Sequence, residues 1–151
     1  MKVRLVQNGV FTPIEDVRHA TYPPTNGFYW IDADVEELLE LQPLFHLHDL
    51  AIEDCLNEEE QRPKLEVFDS HYFIMVNSIR YDDEEITLRE MNIFLGEHYI
   101  ITATRQKLRE IRTVKPILLE HKVNSPDAFL YHLLDQVIDN YFVVGDRIEA
   151  K

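Results

Sequence analysis

The sequence predicts an α/β fold, an α/β/α sandwich with a mixed β-sheet and a long C-terminal helix. Strand-like and helix-like segments alternate in the first third of the chain, strand-like segments dominate the middle, and two long helical patterns complete it. A chain of 151 residues is long enough for one domain with a substantial core. We therefore predict one domain over residues 1–151.

The N-terminal third contains two predicted strands and two predicted helices. Residues 2–6 alternate between polar and apolar and 27–31 are rich in aromatic residues, as β-strands are. Residues 9–26 are predicted to be irregular because three prolines interrupt them. A helix is predicted over 35–45, capped by one of the aspartates that precede it, and a shorter helix over 48–56.

The middle of the chain is predicted to form a run of antiparallel strands. Residues 64–68, 72–81, 88–95 and 99–104 have the β-branched and aromatic composition of strands. The acidic stretch 82–85 separates two of them, so we predict that it is the solvated loop of a hairpin.

The C-terminal third is predicted to be helical. Residues 106–122 form one helix that Pro116 either kinks or splits. Ser125 followed by Pro126 is typical of a helix start, and the last helix is predicted to run towards Lys151. Apolar residues in this helix repeat every 3.5 residues, which suits packing against other helices. They are Leu130, Leu134, Val137, Tyr141, Val144 and Ile148.

The composition excludes several classes of function. The formal charge is 15 − 28 = −13, which argues against binding nucleic acid or anionic lipid and is compatible either with attracting cations or with a solvated acidic surface. Cys55 is the only cysteine, which fits a reducing, cytosolic setting. No catalytic constellation or phosphate-binding glycine loop is recognisable, so an enzyme is not expected. His46 and His48 lack zinc-ligand partners and are assigned a structural or surface role.

Two groups of acidic residues are candidates for binding a cation. Glu53 and Asp54 lie near the end of the predicted 48–56 helix, where negative charge is unfavourable unless a cation or a basic partner compensates it. His132, Asp135 and Asp139 share one face of the last helix, which is either a solvated polar face or half of a cation site.

Two nearby segments resemble the signature of the CorA family of divalent-cation channels. They are His48-Asp49-Leu50-Ala51-Ile52-Glu53-Asp54-Cys55-Leu56-Asn57 and Gln61-Arg62-Pro63-Lys64-Leu65-Glu66. The strand Trp30-Ile31-Asp32, residues 72–76 and the helical segment 130–142 are also similar to the family, so the resemblance extends from about Trp30 to the end. Asp49 departs from it, since the family usually has proline there; both residues suit the first turn of a helix.

The resemblance implies a cytoplasmic, metal-sensing funnel domain that precedes a stalk and two membrane helices. It implies a homopentamer in the inner membrane, closed by regulatory Mg²⁺ between neighbouring domains, with Co²⁺ or Zn²⁺ as alternative ions. By this resemblance Asp54 is the main sensing acid, and Glu53 and Asp135 correspond to a secondary site. The membrane is reached through segments absent here, and we expect this sequence to be the front piece of a longer chain.

Two alternative functions stay open. One is a domain of a transporter for zinc or another transition metal in the same superfamily, which the seven histidines favour. The other is a stand-alone soluble binding or adaptor module. The sensing role requires that Asp54 lie at a boundary between subunits and that no permanent bridge to Arg or Lys occupy it.

Overall fold

The computed structural model describes residues 1–59 and 62–150, and it places helices on both faces of one seven-stranded sheet. The strands are β1 (Lys2–Gln7), β2 (Val10–Ile14), β3 (Phe28–Asp34), β4 (Lys64–Val67), β5 (Tyr72–Asp82), β6 (Glu85–Leu95) and β7 (Tyr99–Thr104). The helices are α1 (Leu38–Phe45), α2 (Asp49–Leu56), α3 (Arg109–Glu120) and α4 (Pro126–Glu149). Short 3₁₀ turns cover Val17–His19 and Val35–Glu37. The predicted α/β/α sandwich with a long last helix is confirmed.

The sheet is mixed because one parallel pair joins two antiparallel groups. The strand order is β2-β1-β3-β7-β6-β5-β4. β3 and β7 are parallel, with Ile31 opposite Ile101, and the other pairs are antiparallel. A parallel pair needs a long crossover, and here α1, α2 and the β4–β6 meander lie between the two strands.

Side chains alternate between two separate cores on either side of the sheet. In β3, Tyr29 and Ile31 face the core that α1 and α2 complete, whereas Phe28 and Trp30 face the core of α3 and α4. The acids predicted on α2 and on α4 are therefore carried by opposite outer layers of the molecule.

The prediction that residues 9–26 are irregular is wrong over β2. Asn8 and Gly9 both have positive φ, at 50° and 79°, and turn β1 into the antiparallel β2. Asn-Gly between strands is the sequence typical of such a tight hairpin. Pro13 is tolerated because β2 is an edge strand.

The apolar repeat predicted for the last helix coincides only in part with the face that packs: Leu130, Leu134, Val137 and Val144 are buried or packed against the core. Phe129, Leu133, Val137 and Val144 are buried, together with Pro126. Tyr141 and Ile148 from the predicted repeat are instead 40% and 42% exposed. α4 packs both on the sheet and against α3, and a straight helix in such a layer buries a stripe of period near 3.6, from which a 3.5 repeat drifts along the helix.

α3 contains an internal proline, and α4 begins with a serine cap. Pro116 lies inside α3, which continues as one helix from Arg109 to Glu120. Ser125 caps α4 as predicted, because its hydroxyl accepts a hydrogen bond from the Ala128 amide at 3.2 Å. Of the helices described, none is both long and apolar enough to cross a bilayer.

The only tryptophan lies in the core between the sheet and α4. Trp30 is fully buried, and its ring centroid is 4.8 Å from that of Phe129. The indole N–H donates to Thr102 Oγ1 at 3.0 Å, and the Thr102 hydroxyl donates to Asp32 Oδ1 at 3.0 Å. This chain of hydrogen bonds ties β3 to β7 at the centre of the sheet.

Candidate metal site

The acids of α2 face outward because the opposite side of this short helix is apolar. Ala51, Ile52 and Cys55 are buried against the sheet. Glu53 is exposed, and the Asp54 side chain is 29% exposed. Both carboxylates are thus accessible from solvent at the C-terminal end of the helix, as the sequence predicted.

Asp54 is held in an ion pair with the first residue of β4. The Lys64 ammonium donates to Asp54 Oδ2 at 2.5 Å and lies 3.6 Å from Glu66 Oε1. The hydrogen bond to Asp54 raises the pKa of Lys64. This is the basic partner that negative charge at a helix C-terminus requires, and it lowers the net charge offered to a metal ion.

Arg105 stabilises the same end of α2. Its Nη2 donates to the carbonyl oxygens of Cys55 at 2.9 Å and Asn57 at 3.2 Å. These carbonyls belong to the helix terminus, where a positive charge is favourable. Arg105 follows β7 directly, so the sheet fixes the position of the helix end that carries Asp54.

The acids of α4 lie apart from those of α2. Asp135 and Asp139 are exposed on α4. His132 is half-buried, and its ring stacks on that of His121 with the two ring centroids 4.7 Å apart. Burial lowers the pKa of His132, and the neighbouring His121 lowers it further, against the opposing effect of Asp135. His132 therefore has a packing role here.

A single copy of the domain does not bring the predicted metal ligands together. Glu53 and Asp54 lie in the α1–α2 layer, whereas Asp135 lies in the α3–α4 layer, with the sheet between them. Within residues 1–59 and 62–150 the structure contains no group of three or more His, Cys, Asp or Glu side chains arranged to hold a metal. A site that uses both layers requires a second copy.

Sequence reasoning named Lys64 only as part of a motif and missed its contact with Asp54. Lys64 and Glu66 alternate with exposed Leu65 and Val67, so the charged side of β4 faces α2. Two charged residues on one face of a strand, Lys64 and Glu66, are a signal that charged side chains of another element pack against that face. Gln61, from the same motif, lies outside the described residues.

Comparison with known proteins identifies relatives over nearly the whole chain. Residues 25–151 match the family described as CorA-like Mg²⁺ transporter protein. YfjQ of Bacillus subtilis (strain 168) is 33% identical over 149 residues, covering 92% of this chain and 43% of YfjQ. The cobalt/magnesium transport protein CorA of Thermotoga maritima is 30% identical over 146 residues, covering 91% of this chain and 39% of its own length. The chain thus spans about two fifths of these relatives.

Solved structures with low sequence identity share the fold. Full-length CmaX superposes with a TM-score of 0.81 at 15% identity, covering 99% of this chain and 50% of CmaX. The CorA magnesium transporter from Methanocaldococcus jannaschii superposes with a TM-score of 0.74 at 17% identity, covering 99% of this chain and 48% of the transporter.

Proposed function

This chain belongs to the family of CorA-like Mg²⁺ transporter proteins, and from this membership we propose that it is the metal-sensing domain of a magnesium channel. In this proposal Mg²⁺ binds between neighbouring copies of the domain and favours the closed pore. The assembly is a homopentamer in the inner membrane with this domain in the cytoplasm, and the membrane is reached through segments outside this chain. The relative named as a cobalt/magnesium transport protein supports these two ions as cargo.

The observation that carries the proposal is the separation of the acidic residues. Glu53 and Asp54 are accessible on α2, while Asp135 is exposed on α4, on the other side of the sheet. When copies stand side by side in a ring, opposite layers of neighbours face each other. A divalent ion at such a boundary would also relieve the repulsion between two chains that each carry a charge of −13.

The ion pair of Lys64 with Asp54 is compatible with sensing if it is displaceable. Both side chains are about one third exposed, at 31% and 29%. Exposed pairs of this kind contribute only about 0–1 kcal/mol. Mg²⁺ keeps several of its waters and needs one or two carboxylates, so it can compete with the ammonium and bind weakly. A sensor has to bind weakly in order to respond to concentration.

Magnesium-dependent protection from proteolysis tests the proposal in the full-length protein that contains this chain. We expect Asp54→Asn to leave the domain folded and to shift protection to Mg²⁺ concentrations about tenfold higher or more, because a carboxylate ligand is lost. We expect Lys64→Gln to shift protection to lower Mg²⁺ concentrations, since the competing cation is removed.

Asp69→Asn is the matched control, because Asp69 is an exposed acid outside α2 and changes the net charge equally. Unchanged protection in Asp54→Asn would overturn the sensing role of this residue. Protection unaltered in Lys64→Gln would show that the ion pair and the metal do not compete. Repeating the titration with Zn²⁺ and Co²⁺ separates the magnesium channel from a transition-metal transporter of the same superfamily.

A further inference from the structure

Basic side chains line a pocket on the face of the sheet that α3 and α4 cover. Its volume is about 490 Å³, and it lies between the β5–β6 hairpin, the start of α3 and the second half of α4. The six basic residues that line this basic pocket are Arg80, Arg89, Lys107, Arg109, Arg112 and Arg147. The whole chain has only 15 basic residues against 28 acidic ones, so this concentration of positive charge opposes the overall balance.

Few carboxylates lie close enough to neutralise the positive charge of the basic pocket. Among the described residues, Arg80 is the only one of the six with a carboxylate in ion-pair distance, that of Asp82. Glu110 is close in sequence, but its carboxylate is buried and accepts a hydrogen bond from the Ser78 hydroxyl at 2.8 Å. Within residues 1–59 and 62–150, the other five cations have no carboxylate in ion-pair distance, although Arg147 lies over the Tyr81 ring. A bound anion would stabilise this arrangement.

Arg89 lines the pocket and carries a buried donor without a partner in the described ranges. It lies opposite Ser78 in the β5–β6 ladder, so its side chain is on the face of the sheet that α3 and α4 cover. Its Nε is buried and has no hydrogen-bond acceptor in the part of the chain that the structure describes. An unsatisfied buried donor is costly and calls for a ligand or water that accepts from it.

The walls of the basic pocket are fixed to one another. The hydrogen bond from Ser78 to Glu110 joins β5 to α3, and Asn140 Nδ2 donates to the Ile79 carbonyl at 2.6 Å, which joins α4 to β5. α3 begins at Arg109 without a side-chain cap, so its first-turn amides add the positive end of the helix dipole. The cations are thus presented by a preorganised frame.

We propose that the basic pocket binds a small anion that carries two or more phosphoryl groups. Guanidinium groups match phosphoryl oxygens in bidentate fashion, and a volume of about 490 Å³ accommodates a ligand larger than a single phosphate. The phosphoryl groups can come from a nucleotide or from an inorganic polyphosphate. The pocket uses none of the acids of the proposed metal site, so the two proposals are independent.

Titration calorimetry of the 151-residue chain, with EDTA to remove divalent ions, tests this site with pyrophosphate and ATP as probes. We expect both probes to bind, and we expect Arg112→Gln to weaken binding about tenfold or more because a charge-assisted donor is lost. Arg18→Gln is the matched control, since it changes the net charge equally while Arg18 is exposed and paired with Asp16. We expect Arg18→Gln to change the affinity for either probe less than about twofold, because it alters only the net charge of the protein.

The outcomes separate the sources of the phosphoryl groups. Tighter binding of ATP than of pyrophosphate, with no binding of adenosine, supports a nucleotide ligand; equal affinities support recognition of the phosphoryl groups alone. Absence of binding by both probes would overturn the proposal. Equal weakening in Arg112→Gln and Arg18→Gln would overturn it as well, provided that circular dichroism shows both variants folded.

Discussion

His71 is a buried histidine whose ring is held by two hydrogen-bond partners and two aromatic rings. Its Nδ1 is 3.0 Å from the Ser70 hydroxyl, and its Nε2 accepts the backbone N–H of His48 at 3.4 Å. Its ring lies against Phe68 and Phe94. Burial lowers the pKa of His71, and the nearby His48 lowers it further. The structure thus requires the neutral imidazole beside the start of α2.

This lowered pKa predicts a loss of stability in mild acid. Below the ordinary value of 6.5, the unfolded chain takes up a proton at His71 more readily than the folded chain does. The free energy of unfolding should therefore fall as the pH drops from about 7.5 to about 5.5. Urea unfolding at the two ends of this range measures the effect.

Two variants isolate the contribution of His71. We expect His71→Gln to be less stable at neutral pH but to show a flatter dependence on pH. His19→Gln serves as the control, since the His19 side chain is 84% exposed, and it should keep the wild-type slope. An unchanged slope in His71→Gln would assign the acid sensitivity to other groups.

Among the elements, long patterned segments are predictable from the sequence, whereas the short hairpin of β1 and β2 is not predicted. The strands and helices predicted from composition and periodicity all exist, and all of them except β4 bury apolar side chains with the expected period. β2 is not predicted, although Asn8-Gly9 is a hairpin signal, because Pro13, Pro23 and Pro24 are typical of an irregular segment. The packing face of α4 is predicted correctly at four of six positions and not at Tyr141 and Ile148, because periodicity alone does not specify that α4 packs on both the sheet and α3.

The candidate site was predictable only in part. The exposure of Glu53 and Asp54 follows from the apolar residues beside them on α2. The contact of Lys64 with Asp54 depends on β4 lying next to α2, and Arg105 reaches α2 only because β7 ends there. Contacts between residues distant in sequence arise from topology, which no local pattern specifies.

The cap of α4 gives a prediction about an element. Ser125→Ala removes the hydroxyl that accepts the Ala128 amide, and such a loss costs about 1 kcal/mol. We expect the melting temperature to fall by about 2–4 °C. Ser125→Asp is the control, because its carboxylate can cap the helix and suits the positive end of the dipole. A melting temperature that is the same for Ala and wild type would show that water replaces the cap.

At the scale of the whole molecule, the charge is unevenly distributed. The basic pocket holds six cations in the α3–α4 layer, while the chain as a whole carries −13. In the part of the chain that the structure describes, few carboxylates lie in ion-pair distance of a basic group, so the excess acidic groups repel one another across the surface. Such repulsion destabilises the folded state and is screened by salt.

We expect the melting temperature of the chain to rise by a few degrees as NaCl increases from about 0.01 M to about 0.15 M, because screening weakens the repulsion. Differential scanning calorimetry measures this change. A double variant, Asp69→Asn with Asp83→Asn, removes two exposed negative charges and should gain less from the same salt. A fall in melting temperature with salt would mean that favourable ion pairs outweigh the repulsion.

The burial of Trp30 determines what intrinsic fluorescence can report. Because the indole is the only one in the chain and is fully buried beside Phe129, its emission should be blue-shifted in the native state and move to the red when that core opens. Its quantum yield should also respond to the ionisation of Asp32, to which Thr102 connects it. Trp30 fluorescence should respond poorly to metal binding at Asp54, because Asp54 lies on the other side of the sheet. An optical assay of metal binding therefore needs a dye attached to α2.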